Sequence, residues 1–152
     1  MENKIEKKST MQYQVHTEIE IEASVSKVWT ILMDNNELAK WSTSFQGMKG
    51  ELKKNGNAII FFLFGGKVRE VKHNLIEFEE NKIFAWSDPI IPGLRDHHQF
   101  IIKSISENKC KFIQSDQAKG FMALFIGKYM SKNMLNWYTD FNAKLKIAAE
   151  IK

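Results

Sequence analysis

From Tyr13 to Glu22 apolar and polar side chains alternate. Tyr13, Val15, Thr17, Ile19 and Ile21 fall on one side, and Gln14, His16, Glu18, Glu20 and Glu22 on the other. A period of two marks a strand with one face in a core and one in water, so His16 is expected to face solvent. The period then changes. Val25, Val28, Trp29 and Leu32 recur at helical steps behind Ser24, whose hydroxyl can cap the first turn. Asp34-Asn35-Asn36 breaks that helix and can cap a second short one, Glu37 to Trp41.

From Phe45 to Gln117 the chain reads as an antiparallel meander. Asn55-Gly56 and Gly65-Gly66 are hairpin turns, with Glu80-Asn81 and Glu107-Asn108-Lys109 as further turns. Strands are expected near 45–53, 57–64, 67–78, 83–87, 95–105 and 110–118, the third changing phase in a way that suggests a bulge. Pro89-Ile90-Ile91-Pro92-Gly93-Leu94 is expected as a loop, since neither proline can donate to a ladder. After Gly120 a helical stripe runs through Met122, Ile126, Met130, Met134, Trp137, Phe141, Leu145 and Ala148. A helix from Phe121 to Ala149 would be over ~40 Å long, enough to cross a sheet.

The 152 residues are 43% hydrophobic and 26% charged, which fits one domain with a real core and excludes a disordered chain. Residues 1–10 are lysine-rich without an apolar stretch, and are read as a flexible leader before a single domain over 11–152. The longest apolar run, Ala58 to Phe64, is too short to span a bilayer. A lone cysteine, Cys110, allows no internal disulfide and points to the reducing cytoplasm. The net charge of +4 comes almost entirely from lysines mixed with glutamates, a solvated surface rather than a nucleic-acid stripe. Ala58 to Phe64 is apolar on both strand faces, so one face needs cover from the leader or from a second copy in a homodimer.

The order strand, two short helices, meander and long C-terminal helix resembles that of the START-related superfamily often called SRPBCC, which includes the birch pollen allergen and polyketide cyclase/dehydrase-like proteins. "IEIEASVSKVWTILMDNNELAKWS" looks like the family's opening, and "EFEENKIFAW" like its strand-turn-strand centre. "HQFII" and "FIQSDQAKG" are similar to the two strands before its long helix. The likeness covers about Gln14 to Ala149 and rests on the order of diffuse packing motifs. Val25 and Lys27 stand where the family often has proline and glutamate in the first-helix cap. The resemblance implies an α+β helix-grip fold, a seven-stranded curved antiparallel sheet wrapped on the C-terminal helix with a cavity between them. It does not imply a reaction, because the superfamily spans carriers, sensors, cyclases and co-chaperone-like proteins.

Strand parity puts His98, Phe100 and Ile102 on one face, and Cys110, Phe112, Gln114 and Asp116 on one face of the next strand. A five-residue hairpin loop would set His98 opposite Asp116 and Phe100 opposite Gln114; a three-residue loop would shift the pairing by two. Such a His–Asp pair can act as a general base with its orienting carboxylate, or the two can satisfy each other at a cavity wall. With Met130, Met134, Trp137 and Phe141 from the helix, these residues are the expected pocket lining. Ile90, Ile91 and Leu94 are the expected gate at its mouth. Nothing in the spacing of His, Cys, Asp and Glu suggests a metal, and no cofactor motif is present. The leading expectation is a carrier or sensor of a small hydrophobic molecule. The rivals are a cyclase- or dehydratase-type enzyme using His98 and Asp116, and a protein-interaction module.

Overall fold

The computed structural model describes residues 2–151. Its elements are, in order, β1 (Asn3–Ser9), β2 (Gln12–Ile21), α1 (Val25–Met33), α2 (Asn35–Trp41), β3 (Phe45–Gly50), β4 (Asn57–Phe64), β5 (Lys67–Glu79), β6 (Ile83–Trp86), β7 (Pro89–Ile91), β8 (Leu94–Arg95), β9 (His98–Ser106), β10 (Lys109–Lys119) and α3 (Ala123–Glu150). The sheet runs β1-β2-β10-β9-β6-β5-β4-β3, with β8 pairing β7 and β10. All its pairs are antiparallel. This is the helix-grip arrangement with ten strands rather than seven.

The three additional strands have identifiable causes. Asn3–Ser9, expected as a flexible leader, alternates Ile5 with charged neighbours and pairs with β2, Ile5 opposite Val15. It forms the sheet edge far from β4, so it does not cover the apolar run there. There the Lys49 ammonium sits 5.0 Å from the centre of the Phe61 ring. The expected Pro89–Leu94 loop is a small hairpin of β7 and β8. Pro89 pairs with Arg95 and Ile91 with Leu94 around Gly93, whose φ of 80° suits the turn. Proline is tolerated because the ladder is short and marginal.

Local signals set the two short helices. Ser24 accepts from Lys27 N–H at 3.2 Å, and Asp34 accepts from the N–H groups of Asn36 and Glu37 at 2.9 and 3.2 Å. Their apolar residues, Trp29, Leu32 and Leu38, join Phe45, Phe84, Phe100, Phe112, Phe141 and Leu145 in the main core. That core fills the space between the sheet and the C-terminal half of α3. The N-terminal half is held by two smaller clusters, one around Val15, Met134 and Tyr138 and another around Leu94, Ala118 and Ala123.

α3 sits rotated from the expected stripe. Its buried positions are Ala123, Gly127, Ser131, Met134, Tyr138, Phe141, Asn142, Leu145 and Ala149. The small residues mark where helix and sheet come close: a Cβ on Gly127 would stand 2.7 Å from the Tyr13 ring. No helix of the described residues is long and apolar enough to cross a membrane.

Candidate functional site

A cavity of about 640 Å³ opens where the main core stops, between the N-terminal half of α3 and the far ends of β4, β5, β6 and β9. Sheet geometry makes the opening. β5 pairs with β4 along Lys67–Asn74 and with β6 along Leu75–Glu79, with a bulge between Leu75 and Glu77. Beyond the last β5–β6 pair, Leu75 with Trp86, the two strands have no ladder between them.

The apolar walls come from several elements. Phe45 on β3, Phe62, Leu63 and Phe64 on β4, and Trp86 on β6 face Met130, Met134, Trp137 and Tyr138 on α3. Pro89 and Ile90 stand at the rim. Trp137 is half exposed, and Phe64 and Ile90 are exposed, so the mouth is apolar as well as the interior.

Of the expected lining, His98, Gln114, Asp116, Met130, Met134 and Trp137 border the cavity. Phe100, Ile102, Phe112 and Phe141 do not: all four are sealed in the main core, where Phe100 stacks on Phe84 with ring centres 4.5 Å apart. Phe45 reaches in from β3 to within 5.1 Å of the Phe100 ring and 6.2 Å of Phe141, and so fills the space those residues were expected to leave open. Of the expected gate, Ile90 and Ile91 are exposed, but Leu94 is buried and packs on Ala118 and Ala123. Leu94 is an anchor.

The polar wall is a connected network. The β9–β10 register places Phe100 opposite Gln114, through a bulge at Lys109–Cys110. His98 Nδ1 lies 3.5 Å from Asp116 Oδ2, and His98 Nε2 stands 2.9 Å from the Gln114 amide nitrogen. A nitrogen that accepts from the amide must carry its lone pair there, which puts the ring proton on Nδ1, facing the carboxylate. Asp116 Oδ1 accepts from the N–H groups of His97 and Gln117 at 3.1 and 2.7 Å, and Oδ2 from the Tyr138 hydroxyl at 2.6 Å. Burial pushes His98 down to about 3. Burial, helped by the charge of Asp96, pushes Asp116 up to about 7 against the pull of its three donors. A ring held that low is a weak base, and its Nε2 lone pair is already taken by the Gln114 amide.

A second histidine, for which the sequence suggested no role, also borders the cavity. His73 Nδ1 is 2.7 Å from Asp88 Oδ2, and its ring leans on Trp86 with centres 5.3 Å apart. Asp88 is steadied by Asp96, whose carboxylate accepts its N–H at 2.6 Å and whose own N–H donates to the Asp88 carbonyl at 3.0 Å. Burial raises Asp96. Cys110 is buried away from these groups, and its thiol is pushed up to about 11.

The site residues missed in sequence are the apolar wall residues Phe45, Phe62, Leu63, Phe64 and Trp86 and the polar residues Tyr138, His73, Asp88 and Asp96. Tyr138 carried a usable signal, standing four residues after Met134 on one helix face. The His73–Asp88 pair did not, because the bulge in β5 shifts every pairing beyond it by one residue.

The model of the family described as "Polyketide cyclase / dehydrase and lipid transport" matches residues 12–150. Among solved structures, the chain is similar to a conserved protein of unknown function from Enterococcus faecalis. The identity is 17% and the TM-score 0.68, over 99% of this chain and 82% of that one. A START superfamily protein from Mycobacterium smegmatis gives 13% identity and a TM-score of 0.68, over 90% and 97%. The di-domain ARO/CYC BexL from the BE-7585A biosynthetic pathway gives 10% and 0.66, over 95% of this chain and 52% of that one. At these identities the likeness is one of fold. No curated protein matches the chain.

Proposed function

The chain belongs to the polyketide cyclase/dehydrase and lipid transport family, and from that membership and its cavity we propose that it binds a small hydrophobic molecule, of lipid, polyketide or isoprenoid type, between the sheet and the long helix. The observation that carries this reading is the cavity itself. It has about 640 Å³ of space walled mainly by Phe, Trp, Met and Leu side chains, with a few convergent polar groups. Such walls are costly to leave in contact with water and favour an apolar occupant. Met130 and Met134 add a surface that deforms to fit.

The polar wall supports binding over proton abstraction by His98. Nε2 of that ring accepts from Gln114, Nδ1 faces Asp116 at 3.5 Å, and burial holds the ring neutral, so in this reading His98 and Asp116 form part of the wall rather than a base. Ile90 and Ile91, exposed at the end of the β7–β8 hairpin, gate the mouth in this reading.

Native mass spectrometry of the protein as purified from cells tests the proposal, with a retained apolar small molecule as the expected result. Titration with a fluorescent apolar probe gives a second test. Saturable binding that weakens several-fold in Trp137→Ala is expected. Absence of saturable binding, or binding indifferent to that substitution, overturns the reading.

A further inference from the structure

Two histidines border the cavity, and they differ in what their second nitrogen does. In His98, Nε2 accepts from the Gln114 amide and Nδ1 faces the Asp116 carboxylate at 3.5 Å. In His73 only Nδ1 is engaged, by Asp88 at 2.7 Å. Among the described residues no group bonds His73 Nε2. The ring is otherwise enclosed, only 9% exposed, with Phe62 edge-on at 6.3 Å and Trp86 at 5.3 Å. The ring borders the cavity, and Nε2 is its free nitrogen.

The Asp88 carboxylate accepts the Nδ1 proton, so a neutral ring presents a lone pair at Nε2. Asp88 is in turn held by the reciprocal backbone and side-chain bonds to Asp96. The acceptor is thus set in one direction before any ligand arrives. Pre-organisation of this kind turns a hydrogen bond into selectivity, because the ordering is already done.

We propose that His73 Nε2 is the polar anchor of the cavity and accepts a hydrogen bond from a hydroxyl on the ligand, which makes the ligand class aromatic or polycyclic alcohols and phenols rather than plain hydrocarbons. The proposal rests on the cavity-binding reading above and sharpens it. The choice of flat ligands follows from the surroundings of the anchor. The rings of Phe62 and Trp86 flank His73, and Phe45, Trp137 and Tyr138 supply further aromatic wall. A hydroxyl entering among these rings without an acceptor would lose its water and gain nothing; at Nε2 it is satisfied.

The test compares 2-naphthol with 2-methoxynaphthalene, which has the same ring system but no donor, by fluorescence titration at pH 8. The measured quantity is the ratio of their affinities in the wild type and in His73→Phe, which keeps a ring between Phe62 and Trp86. The ratio is expected to fall about fivefold to tenfold in His73→Phe, the usual worth of one satisfied hydrogen bond. His98→Gln is expected to leave it within about twofold. Asp88→Asn, which keeps the ring but removes the carboxylate that sets its tautomer, is expected to fall in between, and serves as the second variant if His73→Phe does not fold. A ratio unchanged in both His73→Phe and Asp88→Asn, or one that falls with His98 instead, overturns the anchor while leaving the cavity reading intact. Failure of both probes to bind the folded wild type overturns both.

Discussion

His98 Nδ1 and Asp116 Oδ2 lie 3.5 Å apart with both side chains buried, and the interior drives each towards its neutral form. Their effects on stability have opposite signs. Asp116 is raised to about 7, so between roughly pH 4 and 7 the folded chain keeps a proton that the unfolded chain has lost, and its contribution falls as pH rises. His98 is lowered to about 3, so between roughly pH 3 and 6.5 the unfolded chain holds the extra proton, and its contribution grows with pH.

The two slopes oppose each other over the same window, so the pair adds little pH dependence between about 4 and 6.5. Removing one member exposes the other. Relative to wild type, Asp116→Asn is expected to gain stability from pH 4 to 6.5, and His98→Phe to lose it, each by up to a few kcal/mol. Urea unfolding of the three proteins at pH 4, 5 and 6.5 reads the slopes. Parallel curves for all three would mean that the pair is not held neutral.

Tyr138→Phe deletes a 2.6 Å hydrogen bond to Asp116 without changing the ring that packs between Val15 and Met134. Because the hydroxyl is one of the donors that favour the carboxylate, its loss is expected to raise Asp116 further above its ordinary range. Stability at pH 8, where the carboxylate is charged, is expected to drop by about 1–3 kcal/mol, and by less at pH 5. Carboxyl NMR titration of Asp116 and unfolding at the two pH values check both statements.

At Gly127, α3 lies against the Tyr13 ring of β2. An added Cβ would stand 2.7 Å from the Tyr13 ring, so Gly127→Val is expected to cost about 1–3 kcal/mol even though valine suits a helix better than glycine. Tyr13→Ala in the same chain should recover much of that loss, a coupling that a double-mutant cycle measures.

The same contact explains why the phase of α3 was misread. Hydrophobicity along the chain selects Met130 and Trp137, whereas the helix buries Gly127, Ser131 and Asn142, because close approach to the sheet favours small side chains and local polar partners over apolar bulk. Asn142 is held by Thr17, whose hydroxyl donates to the Gln114 carbonyl, an arrangement visible only once three elements are packed together. The fold itself was legible, since its order of elements is written in local periods and caps such as Ser24 and Asp34. The cavity was legible only in part. Strand parity brings His98, Gln114 and Asp116 to one wall, but Phe45 closes the end at Phe100 and Phe141, and a one-residue bulge decides that His73 meets Asp88.

The β7–β8 hairpin combines a fixed end with a loose one, which is what a gate requires. Leu94 is buried against Ala118 and Ala123, and the Gly93 carbonyl accepts the Met122 N–H at 3.0 Å, tying the turn to the start of α3. Ile90 and Ile91 are 42% and 39% exposed on the other strand, and Ile90 borders the cavity. Isoleucines left in water at a cavity mouth lose little by moving, and they cover apolar surface when the mouth is shut. Replacing both by serine is therefore expected to speed release of a bound apolar probe at least several-fold, with a change in stability below about 1 kcal/mol. Leu94→Ala is expected to do the reverse in stability, costing about 2–4 kcal/mol through the void it leaves. Stopped-flow dissociation and thermal unfolding separate the two effects. If the serine variant loses stability while its release rate stays at the wild-type value, Ile90 and Ile91 are packing residues and the hairpin does not control the mouth.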